Sequence, residues 1–188
     1  MIHDACVRYG INDRDEITYV NAAWDQFAEA NEGTDVAGDR IHGRILWDFI
    51  SDKVTRQLYQ QIVARVRQGS EAKFTLRCDS PSCRRHLEMT IRARETNVVE
   101  FATRSLRLEE RAPVDLLTRA APRSTDLLLA CAWCNRINVG SDAWAEVEIA
   151  AQRLKLFEAG RMPQLTHGIC AACFGRMTDS LDDLKAGA

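Results

Sequence analysis

Nowhere in the 188 residues do eighteen apolar residues run together, so no segment has the length to cross a bilayer as a helix. The opening Met1-Ile2-His3-Asp4 lacks the basic start and apolar run of a secretory signal, which makes the cytoplasm the expected compartment. Charge of one sign is also lacking. With 25 Lys and Arg against 27 Asp and Glu, the net charge of -2 provides no general field toward nucleic acid or an anionic membrane. Binding to nucleic acid is therefore not expected without a local basic patch, and no membrane contact is expected. Catalytic signatures are missing too: there is no GxSxG elbow, no glycine-rich phosphate loop and no HExxH, and the paired Glu109-Glu110 fall in a charged connector. The reading is of a chain that is not an enzyme.

What remains is a composition suited to folding, with an apolar share of 46% and a length that fits one medium domain plus a small module. Seven cysteines in a reducing compartment point to metal or redox chemistry where they fall in CxxC pairs, more than to disulfides.

Along the chain, strands are expected at Ala5 to Ile11 and Glu16 to Val20 around the turn-rich Asn12-Asp13-Arg14-Asp15, with Asn21 capping a helix that carries Trp24, Phe27 and Ala28 on one face and stops at Gly33. A short apolar cluster follows at Ile45 to Ile50. Val54, Leu58, Ile62 and Val66 recur every four residues and predict the clearest helix of this half, ending at Gly69. Period-two patterning then predicts three strands: Phe74, Leu76 and Cys78; Leu87, Met89, Ile91 and Ala93; and a long closing strand from Asn97 to Leu108, with Asn97 in the turn before it.

The segment Asp15-Glu16-Ile17-Thr18-Tyr19-Val20-Asn21-Ala22-Ala23-Trp24 resembles the opening of PAS sensor domains, and Leu46-Trp47-Asp48-Phe49-Ile50 resembles their small-helix region. The element order (two strands, short helices, one longer helix, three strands) is that of the same family over residues 5 to 108. This resemblance implies a sensor domain over residues 1–108. A haem-binding member would usually carry a histidine on the long helix, and Asp52 to Gln68 has none; a flavin photosensor would carry a cysteine just before it, and Ile45 to Ser51 has none. A small apolar ligand near Trp24, Trp47, Leu58, Phe74 and Met89 stays open beside a simply filled core. Residues 109–126, with Glu109-Glu110-Arg111, Pro113 and Pro122, read as a docked connector that holds Leu116 and Leu117 against something.

The last part, residues 127–188, carries Cys131-Ala132-Trp133-Cys134 and Cys170-Ala171-Ala172-Cys173. The two-residue gap in each pair lets both sulfurs reach one tetrahedral ion, and four thiolates fill a zinc sphere without an open position. Redox-active dithiols, buried free thiols and an iron-sulfur cluster are the alternatives. Between the pairs, Ser141 or Asp142 is expected to cap a helix bearing Trp144, Val147, Ala151 and Leu154; Phe174, Met177, Leu181 and Leu184 mark a last helix with Cys170 and Cys173 in its first turn. His167, three residues before Cys170, is a candidate ligand or hydrogen-bond support for one. A knuckle CxxC followed by a CxxC at a helix start resembles treble-clef zinc modules. With Trp144-Ala145-Glu146-Val147-Glu148 and Thr166-His167-Gly168-Ile169, it also resembles a small C-terminal module found after PAS or receiver domains in bacterial signalling proteins. Cys78 and Cys83, beside Arg84, Arg85 and His86, read as hairpin thiols in place of a second metal site; Arg77, Arg84 and Arg85 could meet an anion or an acidic partner.

The expectation is an α+β protein, a PAS-like antiparallel sheet with flanking helices followed by a small helical treble-clef-like zinc module. Its function is read as non-catalytic sensing and signal transduction through protein–protein interaction with a signalling partner. Homodimerisation is plausible for such sheets and flanking helices. A zinc-dependent DNA-binding transcriptional regulator and a thiol redox sensor are the alternatives.

Overall fold

A computed structural model describes residues 6–31, 33–94, 97–158 and 160–186. Ala5, expected to open the first strand, lies outside them. Strand β1 (Val7–Ile11) and strand β2 (Ile17–Val20) pair antiparallel around the Asn12 turn. Asn12 makes that turn locally: its Oδ1 accepts from the backbone N–H of Arg14 at 2.9 Å and of Glu16 at 3.0 Å, and Asp15 takes a left-handed φ of 63°. Asn21 caps helix α1 (Ala22–Ala30), accepting from the Trp24 N–H at 3.0 Å. Short 3-10 turns at Thr34–Val36, Gly38–Arg40 and Leu46–Phe49 lead to helix α2 (Lys53–Arg67), capped by Asp52.

The buried face of α2 is Thr55, Leu58, Ile62, Val63 and Val66, while Val54, expected on it, is 40% exposed. A row of every fourth residue drifts by about 40° per step around a 3.6-residue helix, so its first member leaves the face and Thr55 enters. Strands β3 (Ala72–Arg77), β4 (Cys83–Ala93) and β5 (Val99–Glu110) complete a five-stranded sheet of order β2-β1-β5-β4-β3. Asn97 sits in the preceding turn at φ 61°. Tyr9 and Phe101 are cross-strand partners in the β1–β5 register, and their rings stack at 4.6 Å over a core that includes Ile11, Ile17, Ile91 and Val99.

A second sheet, of order β8-β7-β6-β9, comprises β6 (Arg123–Cys131), β7 (Ile137–Asn138), β8 (Trp144–Ala145) and β9 (Met162–Gly168). Periodicity had not revealed this sheet, because two of its strands are two residues long. Trp144 lies in β8 in place of the expected helix, and Ser141 and Asp142 are turn residues at φ 48° and 56°. Helix α3 (Val147–Arg153) begins later, at Glu146, without a side-chain cap. Strands β6 and β9 run parallel, which requires a crossover, and β7, β8 and α3 supply it. Leu116, at 1% exposed, and its neighbour Leu117 pack with Ile137, Val147 and Ala150. The segment before β6 is therefore docked, with a 3-10 turn at Asp115–Leu117.

The chain divides into two compact units, neither contiguous. One holds the chain up to Thr75, Leu87–Ser105 and the chain from Met177; the other holds Leu76–His86 and Leu106–Arg176. Helix α4 (Ala171–Ala186) starts in the second and continues into the first, where Met177 and Leu181 are buried and share a cavity of about 230 Å³ with Ile62, Ala72 and Phe74.

Candidate metal centre

Cys131 ends β6, and the chain turns through Asn135, at φ 55°, back into β7. The turn is closed by the Cys131 N–H donating to Arg136 O at 2.8 Å and the Asn135 N–H donating to Cys131 O at 2.9 Å. The parallel β6–β9 register sets Cys131 opposite Gly168, and the Ala132 N–H donates to Gly168 O at 2.8 Å. The second CxxC pair therefore arrives beside the first. Cys170 sits at the start of α4, with its carbonyl accepting the Phe174 N–H at 2.9 Å, and Cys173 falls in the first turn.

The four sulfur atoms all lie within 4.8 Å of one another, and Cys134 Sγ and Cys170 Sγ are 3.9 Å apart. Zinc–sulfur bonds of about 2.3 Å imply tetrahedral edges of about 3.8 Å, so the donor set fits one ion. Cys131, Cys170 and Cys173 are buried, and Cys134 is partly so. The Cys170 N–H points at Cys131 Sγ from 3.4 Å, and Arg176 Nη2 donates to Cys173 Sγ at 2.9 Å. These four cysteines could hold a metal ion. Among the described residues they are the one such group of histidine, cysteine and acidic side chains.

The electrostatics favour a cation. The Cys131 thiol is pulled down to about 4, first by a hydrogen bond from Cys134; burial opposes this, and the backbone N–H groups of Cys170, Cys134 and Trp133 assist it. Cys134 is pushed up by its hydrogen bond with Cys131 and by burial, and Cys173 rises to about 11 through burial and then the nearby Cys131 charge. Cys131 ionises easily while Cys134 and Cys173 resist, a penalty that a divalent ion among them would remove.

His167 lies exposed on β9 opposite Ala130 and is not one of the four. Cys78 and Cys83 stay in the β3–β4 hairpin, where Ser80 bridges to Cys83 and burial raises the Cys78 thiol. Of the residues expected around a sensor pocket, Leu58, Trp47 and Met89 are buried, at 4%, 8% and 8% exposed. Trp47 Nε1 donates to Asp15 Oδ2 at 2.6 Å, Trp24 Nε1 donates to Val36 O at 2.8 Å, and Phe74 meets Tyr59 edge-on and lines the cavity under α4.

An ion-pair hub escaped the sequence reading. Asp79, with its side chain 1% exposed, accepts from Arg77 and from Arg111 Nη1, the latter at 3.3 Å. Arg77 also reaches Glu146 at 2.7 Å, Arg111 reaches Glu148 at 3.0 Å and Arg84 reaches Glu148 at 2.8 Å. Burial works against the Glu146 and Glu148 charges, but the arginine partners, preceded at Glu148 by its own backbone N–H, outweigh it and hold both carboxyls below the usual range. The Arg77 backbone grips the first cysteine turn on both sides: its N–H donates to Trp133 O at 2.8 Å, and its carbonyl accepts from Asn135 Nδ2 at 3.2 Å. Arg77 and Asp79 two apart, ahead of Pro81, were the available signal.

The structure is α+β, with a five-stranded antiparallel sheet and flanking helices, and the second unit carries the four-cysteine cluster. The sequence matches no described family and no curated protein. Among solved structures, the chain is similar to a domain of HTR-like protein from Haloarcula marismortui ATCC 43049, at 14% identity and TM-score 0.38, covering 54% of this chain and 98% of that one. It is also similar to a sensory box sensor histidine kinase from Vibrio cholerae, at 11% identity and TM-score 0.39, covering 55% of this chain and 83% of that one.

Proposed function

We propose that the protein is a non-catalytic, cytoplasmic signal-transduction component: a PAS-like sensor over residues 1–108, a connector at 109–126 and a zinc-bearing module at 127–188 that acts on a protein partner. The identity of the metal follows from chemistry. Four thiolates on a buried site select a thiophilic ion, and a filled tetrahedron gives zinc a structural role with no open position for water.

The observation that carries the signalling reading is the hold of the β3–β4 hairpin on the first cysteine turn. The last residue of β3, Arg77, is hydrogen-bonded on both sides of the Cys131–Cys134 turn. A change in the hairpin would therefore be felt where the metal is held. A ligand can shift such an equilibrium only by binding two arrangements unequally.

The test is metal analysis of protein purified without added metal, combined with amide exchange of the full chain with and without zinc. One zinc per chain, with slowed exchange at Leu76–His86 when zinc is bound, is the expected result. Absence of zinc, or exchange at the hairpin indifferent to it, would overturn the reading.

A further inference from the structure

Four thiolates around a divalent cation leave two negative charges uncompensated, in a site where Cys131, Cys170 and Cys173 are each under 5% exposed. Water reaches little of that excess, because Cys134 alone of the four is partly exposed, so protein donors must offset much of it. Backbone N–H groups supply part of it, as at Cys131, but they carry only partial charges. Two guanidinium groups stand at the site. Arg136, two residues beyond Cys134, is engaged by Glu146 through Nε at 3.1 Å. Arg176 lies one turn beyond Cys173 on α4, at the i, i+3 spacing that puts two side chains on one helix face, and Nη2 donates to Cys173 Sγ at 2.9 Å.

We propose that Arg176 is the positioning residue of the metal centre: its guanidinium fixes the Cys173 thiolate and offsets the excess charge, so that the bound ion is held tightly and exchanges slowly. The inference rests on the zinc reading above. The hydrogen bond removes electron density from the sulfur lone pair, leaving Cys173 a poorer nucleophile toward competing electrophiles. A lysine at this position would keep the charge without the planar fork and should restore part of the effect.

The experiment uses the full chain as wild type, Arg176→Gln and Arg176→Lys. Zinc affinity is measured by competition with a chromogenic chelator. The cobalt-substituted proteins are compared by their sulfur-to-cobalt charge-transfer bands. Partner groups of this kind are typically worth about 10-fold to 100-fold in metal affinity, so Arg176→Gln should weaken zinc by that factor and Arg176→Lys by less. The charge-transfer band should move to lower energy in Arg176→Gln, because a sulfur that has lost its charged donor gives up an electron more easily, and Lys should return it partway. If Arg176→Gln does not fold, the Arg176→Lys affinity and band carry the test, with a several-fold loss and a smaller shift expected. Unchanged zinc affinity, with an unchanged band in the cobalt-substituted variant, would overturn the role of Arg176 and leave the zinc site standing. A wild type that binds no zinc would overturn the zinc reading itself.

Discussion

Replacing Asp79 by asparagine removes one charge and almost no volume, so the substitution isolates electrostatics from packing. The side chain is 1% exposed, and its partners Arg77 and Arg111 are 11% and 8% exposed. The new amide would set N–H donors against guanidinium donors. Removing one partner from a buried ion pair costs about 3–5 kcal/mol, because the charge left behind cannot be resolvated. Here Arg77 keeps Glu146, while Arg111 keeps Glu148 and donates to Ser80 O at 2.7 Å. The loss should therefore fall at the lower end, about 3 kcal/mol. At 2–4 °C per kcal/mol for a chain of this size, the melting temperature should drop by about 6–12 °C. Urea unfolding followed by tryptophan emission is the assay, since Trp133 is 4% exposed and sits in the turn that Arg77 grips. Arg107→Gln is the control. Arg107 pairs with Glu109 while 72% exposed, and such surface pairs are worth about 0–1 kcal/mol. If Asp79→Asn matches this control, the hub does not hold the hairpin to the cysteine turn, and the carrying observation for signalling loses its energetic basis.

Three further outcomes are expected. Cys170→Ser should lose the metal, and with it a contribution on the order of 10 kcal/mol, so that amide protection collapses in β6, β7 and β9 before it does in the five-stranded sheet; equal protection in variant and wild type would refute a structural metal. Burial works against the Glu100 charge, but hydrogen bonds from Tyr19, Arg92 and Arg94 outweigh it and lower the carboxyl from 4.5. Its stabilisation is thus full above about pH 4.5 and lost as the pH falls through the folded value, so the acid limb of the urea midpoint between pH 5 and 3 should flatten in Glu100→Gln. Gly10→Ala would place a methyl carbon 2.3 Å from Tyr19 Cε1 and 2.9 Å from Val98 Cγ1. Displacing Tyr19 from its 2.6 Å hydrogen bond to Glu100 should add to an overpacking cost of about 1–3 kcal/mol, and an unchanged melting temperature would contradict the packing described.

Much of this protein was legible from local chemistry. Asn21 is expected to cap a helix because a short acceptor side chain reaches an N–H three residues on, and it does so; Asp52 does the same for α2 without having been expected to. The alternation around Met89 and Ile91 predicts a strand with one buried face, and the sheet has it there. Two CxxC pairs announce a four-sulfur site wherever they fold, since the gap fixes how two sulfurs of one turn diverge.

What the tertiary structure decided is what depends on distant partners. Strands β7 and β8 are two residues each and have no period to detect; they exist because β6 offers hydrogen bonds to β7, and β7 in turn to β8. Trp144, which fits a helical row as well as a strand, is settled by its pairing with Asn138. Arg77, Asp79, Arg111, Glu146 and Glu148 look like solvated charges one by one, and only the fold, by burying Asp79, turns them into a network. The sequence by itself determined which sulfurs form the site, because ligand spacing is local. The parallel register of β6 and β9 determined that the two pairs meet, because that contact spans 39 residues between Cys131 and Cys170 and no local periodicity encodes it.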